Sequence, residues 1–156
     1  MYCLMPMKVC IGGTFNILHS GHRALLDTAI QKAGLDGSLF IGVATRSLLR
    51  KKVVQYSFQH RAAALKDYLK QKSFLKQTRI EPITDKFGPT IDEDFDAIIV
   101  SPETFQTAKE INLIREKKGK KPMQIIQINY VLADDNKPIS STRIINKIID
   151  KDGRIR

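Results

Sequence analysis

The sequence predicts a single α/β domain with a five-stranded, mainly parallel sheet and helices on both of its faces. Short apolar runs alternate along the chain with amphipathic segments of helical period, which is typical of strands joined by crossover helices. At 156 residues the chain is long enough to bury a core without disulfides or a structural metal. No internal repeat and no low-complexity linker divides it. We therefore expect one domain over residues 1–156, of which residues 1–7 form a loose leader.

The order of the elements follows from where the apolar runs fall. The predicted strands are residues 8–12, 38–44, 80–83, 96–100 and 124–129. The predicted helices are residues 20–32, 57–70, 102–118 and 140–149, with 45–50 as a candidate short helix and Ser20 as the N-cap of the first. Sequential right-handed crossovers then give a Rossmann-like, doubly wound sheet of order 3-2-1-4-5. The ligand should bind at the switch point, beyond the carboxyl ends of the strands.

The composition is strongly basic, with 26 Lys and Arg against 16 Asp and Glu and a formal charge of +10. Nucleic-acid binding, a site for polyanionic small molecules and a general enrichment in lysine would each explain this excess. The basic clusters at 50–52 and 115–121 contain no interleaved aromatic residues, and tryptophan is absent. We therefore expect no nucleic-acid partner, and we interpret 115–121 as a solvated helix end.

No feature of the sequence indicates a membrane or secreted protein. No apolar run approaches the roughly 18 residues of a membrane span, and the first seven residues lack the pattern of a signal peptide. Cys3 and Cys10 have neither a metal-ligand spacing nor that of a disulfide framework. We expect Cys10 to be a small buried hydrophobe and the protein to be cytoplasmic, with no membrane partner. The oligomeric state stays open.

The most informative stretch runs from Gly12 to His22, between the first strand and the first helix. Glycines at such a turn let a phosphate chain approach the backbone, and a helix start offers free N–H groups and the positive end of a dipole. His19 and His22 can donate hydrogen bonds to phosphate oxygens and stabilise charge that develops during displacement. The stretch predicts a site that handles nucleotide phosphates.

Residues 138–143, Pro-Ile-Ser-Ser-Thr-Arg, form a second candidate anion site. Ser140, Ser141 and Thr142 offer hydroxyl and backbone donors at a predicted helix start, and Arg143 adds a fixed cation. Taken alone, these hydroxyls are more simply explained as helix caps. Beside the first stretch, the second anion site is the better interpretation, because the last helix can reach the same crevice from the other side.

These two stretches resemble motifs of the nucleotidyltransferase superfamily, whose members join a nucleotide to a phosphorylated acceptor and release pyrophosphate. Residues 19–22, His-Ser-Gly-His, match its HxGH motif. Residues 13–15, Gly-Thr-Phe, match the start of its GTFD motif, with Asn16 where the superfamily usually has Asp. Residues 138–143 are similar to its ISSTxxR element, which holds the triphosphate, but Ile145 stands where a second basic residue often falls.

The middle of the chain resembles one branch of that superfamily. Residues 85–90 and 96–104 look like the DPxGPT…VSxET pattern of the archaeal and eukaryotic type of phosphopantetheine adenylyltransferase. Residues 56–61 look like a degraded form of that family's stretch ending in ER. The resemblance extends from residue 8 to residue 156. It implies transfer of AMP from ATP to 4′-phosphopantetheine, giving dephospho-coenzyme A and pyrophosphate, with Mg²⁺ carried on the triphosphate and no metal site on the protein.

The resemblance also implies roles for individual residues. His22 and His19 would contact the phosphates undergoing displacement, and Thr14 would orient the attacking phosphate. The residues implied to bind ATP are Gly13, Thr14, Phe15, His19, Gly21, His22, Ser140, Ser141, Thr142 and Arg143. The residues expected to bind the acceptor are Thr14, Lys51, Lys52 and Phe87, of which Phe87 supplies an apolar wall for the pantetheine arm.

Three alternatives stay open from the residues. A related transferase acting on nicotinamide mononucleotide, flavin mononucleotide or glycerol phosphate would share both phosphate elements. The cytidylyltransferase branch is disfavoured, because its usual RTEGIST element is absent. A basic, non-enzymatic module that binds nucleic acid is the alternative from a different class.

Arg61 also has a structural interpretation, as the partner of an Asp or Glu on its own helix.

Overall fold

The structure is a computed structural model, and it describes residues 5–45 and 56–156. Its sheet has the order β3-β2-β1-β4-β5, and every neighbouring pair is parallel. The strands are β1 Lys8–Gly13, β2 Ser38–Ala44, β3 Thr78–Ile83, β4 Ala97–Val100 and β5 Gln124–Gln127. The helices are α1 Ser20–Ala33, α2 Phe58–Gln71, α3 Phe105–Lys117 and α4 Ser141–Ile145, with 3₁₀ turns at Leu75–Gln77 and Gly88–Ile91. The predicted fold class and strand order are confirmed.

Alternation along the strands sends side chains into two separate cores. On one face, Val9 and Ile41 belong to the cluster that contains Leu26 of α1 and Leu65 of α2. On the other face, Cys10 and Phe40 belong to the cluster that contains Ala108 of α3. The predicted burial of Cys10 is confirmed, since its free thiol is fully buried. Helices therefore cover both faces and leave the carboxyl ends of the strands as the place for a ligand.

The predicted helix over residues 140–149 is wrong in its length, because α4 ends at Ile145. Lys147 has a φ of 60°, in the left-handed region, so the helix cannot continue through it. Beyond that turn, Ile149 is fully buried in a small cluster with Ala133 and Ile139. Burial of an isoleucine against residues distant in sequence thus overrides the local helical pattern.

The interpretation of residues 115–121 as a solvated helix end is wrong for Arg115. Its side chain is only 2% exposed. Its guanidinium donates to the carbonyls of Lys121 at 2.9 Å, Thr90 at 2.8 Å and Glu93 at 2.6 Å. These bonds join the end of α3 to the segments that precede β4 and β5.

In the described part of the chain, no helix is both long and apolar enough to cross a membrane. The candidate short helix at 45–50 lies, apart from Thr45, outside the described residues.

Candidate active site

A cavity of about 540 Å³ opens at the carboxyl ends of β1, β2 and β4, on the face covered by α3. Two glycines that pair in the sheet register, Gly12 of β1 and Gly42 of β2, both line it. A Cβ atom added to Gly12 would meet only the Gly42 carbonyl oxygen within 4 Å, at 3.7 Å. The missing side chain of Gly12 therefore leaves open space in this core, whereas a Cβ atom added to Gly42 would lie 3.0 Å from Cγ2 of Ile83.

The cavity wall is largely apolar, with a few hydroxyl groups and one lysine. Thr14 lies at the end next to the β1–α1 turn, and Thr107 lies on α3. Neither hydroxyl makes a hydrogen bond to another described residue, so both are available to a ligand. The predicted acceptor residue Phe87 also lines this cavity. An apolar cavity with a few polar groups suits a flexible, partly apolar ligand.

His19, and not the predicted Ser20, is the N-cap of α1. Its Nδ1 atom accepts from the backbone N–H of Gly21 at 3.0 Å and of His22 at 3.4 Å. Gly21 permits this arrangement, because a Cβ atom there would lie 2.9 Å from Cε1 of the His19 ring. The N–H of Ser20 donates to the carbonyl of Lys151 at 3.0 Å. The expectation that this helix start offers free N–H groups is therefore wrong. An anion at the start of α1 would instead be bound by side chains.

The two histidine rings are held in definite orientations. They stack with centroids 3.8 Å apart, and the His22 ring also lies 5.1 Å from the Phe15 ring. Nδ1 of His22 is 2.9 Å from the Ile17 carbonyl oxygen and 3.4 Å from the backbone nitrogen of His19. Because the carbonyl contact is the shorter, we assign the proton of His22 to Nδ1. His19 accepts at Nδ1, so its neutral ring carries the proton at Nε2.

Both rings are neutral near pH 7. Burial, together with the nearby His22 and Arg23, lowers the pKa of His19 to about 3. Burial also lowers the pKa of His22 to about 4, although its hydrogen bond to the Ile17 carbonyl favours the protonated form. The site without ligand therefore presents an N–H donor at Nε2 of His19 and a lone pair at Nε2 of His22.

This burial predicts that the protein loses stability as the pH falls from about 6.5 to about 4. In the unfolded chain both histidines have ordinary pKa values near 6.5, so within this window the unfolded state binds more protons than the folded state. The free energy of unfolding should change by at most about 1.4 kcal/mol per pH unit for each histidine. Urea denaturation at several pH values measures this slope. A free energy of unfolding that stays constant over the window would contradict the neutral assignment.

The turn between β1 and α1 is strained at Phe15, whose φ of 51° is rarely adopted by a bulky residue. The Phe15 side chain is buried beneath the turn and supports the His22 ring. Only its backbone thus remains a candidate for contact with ATP. Asn16 is also buried, and its side-chain oxygen accepts from the backbone N–H of Tyr56 at 3.3 Å.

The second candidate anion site begins at Ser140, whose hydroxyl caps α4 by accepting from the Arg143 N–H at 3.2 Å. The Arg143 guanidinium is ion-paired with Asp135 and donates to the Pro138 carbonyl at 3.0 Å. These contacts stabilise the turn before α4. Ser141 and Thr142 have hydroxyls with no hydrogen-bond partner among the described residues. Of this group, these two hydroxyls are the ones available to a ligand.

Lys51 and Lys52, predicted to bind the acceptor, lie outside the described residues. Arg61 is described, and its interpretation as the partner of an acid on its own helix is wrong. It donates to three backbone carbonyls, those of Tyr56, Thr14 and Ala44. The sequence did not reveal that Arg61 binds backbone carbonyls, nor that Gly42 and Thr107 line the cavity. A glycine late in the apolar run 38–44 was the one available signal for the cavity.

Comparison with known proteins identifies the family of the chain. The model of the cytidylyltransferase-like family matches residues 10–147. A phosphopantetheine adenylyltransferase from Methanosarcina mazei is 46% identical over 153 residues, covering 97% of this chain and 98% of the relative. A solved structure from Archaeoglobus fulgidus, described as a protein of unknown function, is 39% identical with a TM-score of 0.70, covering 78% of this chain and 89% of the other.

A more distant solved structure shows the fold alone. It is a bifunctional NMN adenylyltransferase/ADP ribose pyrophosphatase from Francisella tularensis, 17% identical with a TM-score of 0.63, and the match covers 93% of this chain and 42% of the other.

The parallel sheet, the histidine pair at the start of α1 and the matched family model define a nucleotidyltransferase of the cytidylyltransferase-like class. Within that class, the chain belongs to the phosphopantetheine adenylyltransferase family.

Proposed function

We propose that the protein transfers AMP from ATP to 4′-phosphopantetheine, releasing pyrophosphate and dephospho-coenzyme A, in the cytoplasm and as a step of coenzyme A biosynthesis. One observation carries this proposal. The β1–α1 turn leads at one side into the apolar cavity, through Thr14, and at the other into the paired histidines at the start of α1. A phosphorylated acceptor with a long, partly apolar arm suits this arrangement. Its arm would occupy the cavity, and its phosphate would lie at the turn.

The reaction needs no covalent enzyme intermediate. An oxygen of the acceptor phosphate attacks the α-phosphorus of ATP in line, a new P–O bond forms, and the bond to the β-phosphate oxygen breaks as pyrophosphate leaves. The Thr14 hydroxyl, which has no partner within the described ranges, orients the attacking phosphate. Catalysis then consists of positioning and of stabilising the charge that builds on the phosphate oxygens.

The two histidines take different roles, because their protons are on different atoms. His19 donates from Nε2 to a phosphate oxygen while its Nδ1 atom caps the helix. His22 has its Nδ1–H bound to the Ile17 carbonyl, so it must gain a proton at Nε2 before it can donate there. A polyphosphate close to the ring raises its pKa and promotes this protonation. The resulting imidazolium stabilises the negative charge of the displacement.

The β- and γ-phosphates are assigned to the second anion site. The free hydroxyls of Ser141 and Thr142 would donate to phosphate oxygens, while Ser140 and Arg143 hold the local backbone in place. Among residues 5–45 and 56–156, no group of three or more His, Cys, Asp or Glu side chains could hold a metal ion. Mg²⁺ would be bound through the triphosphate oxygens, where it neutralises charge.

A parallel assay of acceptors tests the proposal. Pyrophosphate release from ATP is measured with 4′-phosphopantetheine, nicotinamide mononucleotide, flavin mononucleotide and glycerol phosphate, each with Mg²⁺. We expect release with 4′-phosphopantetheine only. Release with a different acceptor and none with 4′-phosphopantetheine would contradict the substrate. No release with any acceptor, combined with steeply salt-dependent binding to nucleic acid, would instead favour the non-enzymatic alternative.

A further inference from the structure

Arg61 is a buried cation whose partners all lie around the phosphate site. It belongs to the first turn of α2 and is 3% exposed. No ion pair joins it to a carboxylate in the described part of the chain. Instead, Nη1 donates to the carbonyls of Thr14 and Ala44, both at 2.8 Å, and Nε donates to the carbonyl of Tyr56 at 3.1 Å. A buried guanidinium is retained only where such acceptors replace its hydration.

The three carbonyls belong to three different segments. Thr14 follows β1, Ala44 is the last residue of β2, and Tyr56 precedes α2. Nη1 therefore joins the carboxyl ends of two neighbouring strands at the edge of the sheet where the cavity opens. Ala44 and Tyr56 also flank residues 46–55 in the sequence, so one guanidinium holds the chain where it leaves the sheet and where it returns to α2.

The contact with Thr14 is the one that bears on the reaction. The Thr14 hydroxyl has no hydrogen-bond partner among the described residues, so its position depends on the backbone. The next residue, Phe15, has a strained φ of 51°, and its ring packs against His22. A movement of the Thr14 carbonyl would therefore displace both the hydroxyl and the support of the histidine.

Arg115 provides an internal comparison. It is equally buried and also donates to three backbone carbonyls. Two of its partners, Glu93 and Lys121, precede strands, at the edge of the sheet opposite the phosphate site. The third, Thr90, lines the cavity proposed for the pantetheine arm but does not belong to the β1–α1 turn. The two arginines are thus similar structural elements, but only Arg61 contacts the turn that leads to the histidines.

We propose that Arg61 is a positioning residue for AMP transfer, which holds the Thr14 carbonyl and through it the acceptor-orienting hydroxyl and the His22 ring. This inference rests on the proposed function and adds to it a residue that touches neither substrate. A purely structural role predicts that variants of Arg61 and Arg115 lose stability and keep their turnover per folded molecule. A positioning role predicts that only the Arg61 variants lose turnover.

The test compares R61K and R61Q with the matched variants R115K and R115Q. Thermal unfolding gives the folded fraction, and pyrophosphate release gives kcat and KM per folded molecule. We expect R61K and R61Q to lower kcat by about 10²-fold, the loss typical of a small misplacement of reacting groups, with the KM for ATP little changed. We expect the Arg115 variants to lose thermal stability and to keep the wild-type kcat, with any kinetic effect confined to the KM for 4′-phosphopantetheine, because their Thr90 partner lines the cavity. If R61Q does not fold, R61K, which keeps the charge, decides the question.

A second readout does not depend on activity. Imidazole ¹H–¹⁵N spectra of the wild-type protein should show His22 protonated at Nδ1, as its contact with Ile17 requires. That signal should shift in R61K and match the wild type in R115K. An Arg61 variant with wild-type kcat per folded molecule and a wild-type His22 signal would overturn the inference. If the wild type releases no pyrophosphate, the proposed function fails, and the spectra alone decide whether Arg61 positions the turn.

Discussion

Replacing His22 with alanine is expected to lower kcat by about 10²–10³-fold, equivalent to about 2.7–4 kcal/mol of lost transition-state stabilisation. The reason is the orientation of the ring. Nδ1 is bound to the Ile17 carbonyl, and the stacked His19 ring and the tilted Phe15 ring hold the imidazole in place. Nε2 is thus positioned to donate to the phosphate undergoing displacement once the bound polyphosphate has promoted its protonation, and alanine removes that group entirely.

The measurement is steady-state pyrophosphate release at saturating ATP and acceptor, with the folded fraction of H22A checked by circular dichroism. The exposed His60 of α2 gives a matched control, since H60A removes a histidine outside the proposed site and should keep the wild-type kcat. Near-normal turnover by folded H22A would show that the histidine pair does not stabilise the displacement.

The second large effect is expected from filling the cavity at Gly12. In G12V the first added carbon makes only an ordinary contact with the Gly42 carbonyl oxygen, and the two methyl groups project into the space proposed for the pantetheine arm. Valine also suits a strand, so the sheet should form normally. We expect the KM for 4′-phosphopantetheine to rise by roughly 10- to 200-fold, as is typical for one added group in an apolar pocket.

The smaller substitution G12A serves as the graded control, and its effect on the KM should be weaker than that of G12V. Binding of ATP alone, followed by calorimetry, should be the same in the wild type and both variants, because the triphosphate is assigned to the far side of the turn. A G12V protein with the wild-type KM for 4′-phosphopantetheine would place the acceptor outside this cavity.

The sheet was predictable from the sequence because buried parallel strands are encoded as short apolar runs. The runs at 8–12, 38–44 and 96–100 each correspond to an observed strand within one residue at each end. The position of the histidine pair was also predictable, since a strand, a glycine turn and an amphipathic segment follow one another directly. In both cases the signal lies within a few neighbouring residues.

The details that could not be predicted depend on contacts between distant residues. The capping role of His19 depends on the orientation of its ring over Gly21, which no local pattern encodes. Gly12 lies opposite Gly42 because of the register of β1 against β2. The partners of Arg61 are backbone carbonyls, and because every residue carries one, sequence cannot distinguish them from carboxylates on the same helix. The short length of α4 also depends on contacts between distant residues, because Ile149 is buried against Ala133 and Ile139.

The most direct test of the central claim is to identify the products formed from ATP and 4′-phosphopantetheine. ³¹P NMR and mass spectrometry of one reaction mixture distinguish the possible outcomes. The proposed chemistry predicts dephospho-coenzyme A and pyrophosphate in equal amounts, with a new pyrophosphate linkage between AMP and the acceptor. Formation of ADP with a further phosphorylated acceptor, or of ADP and free phosphate with the acceptor unchanged, would contradict it, because attack would then have occurred at the γ-phosphorus.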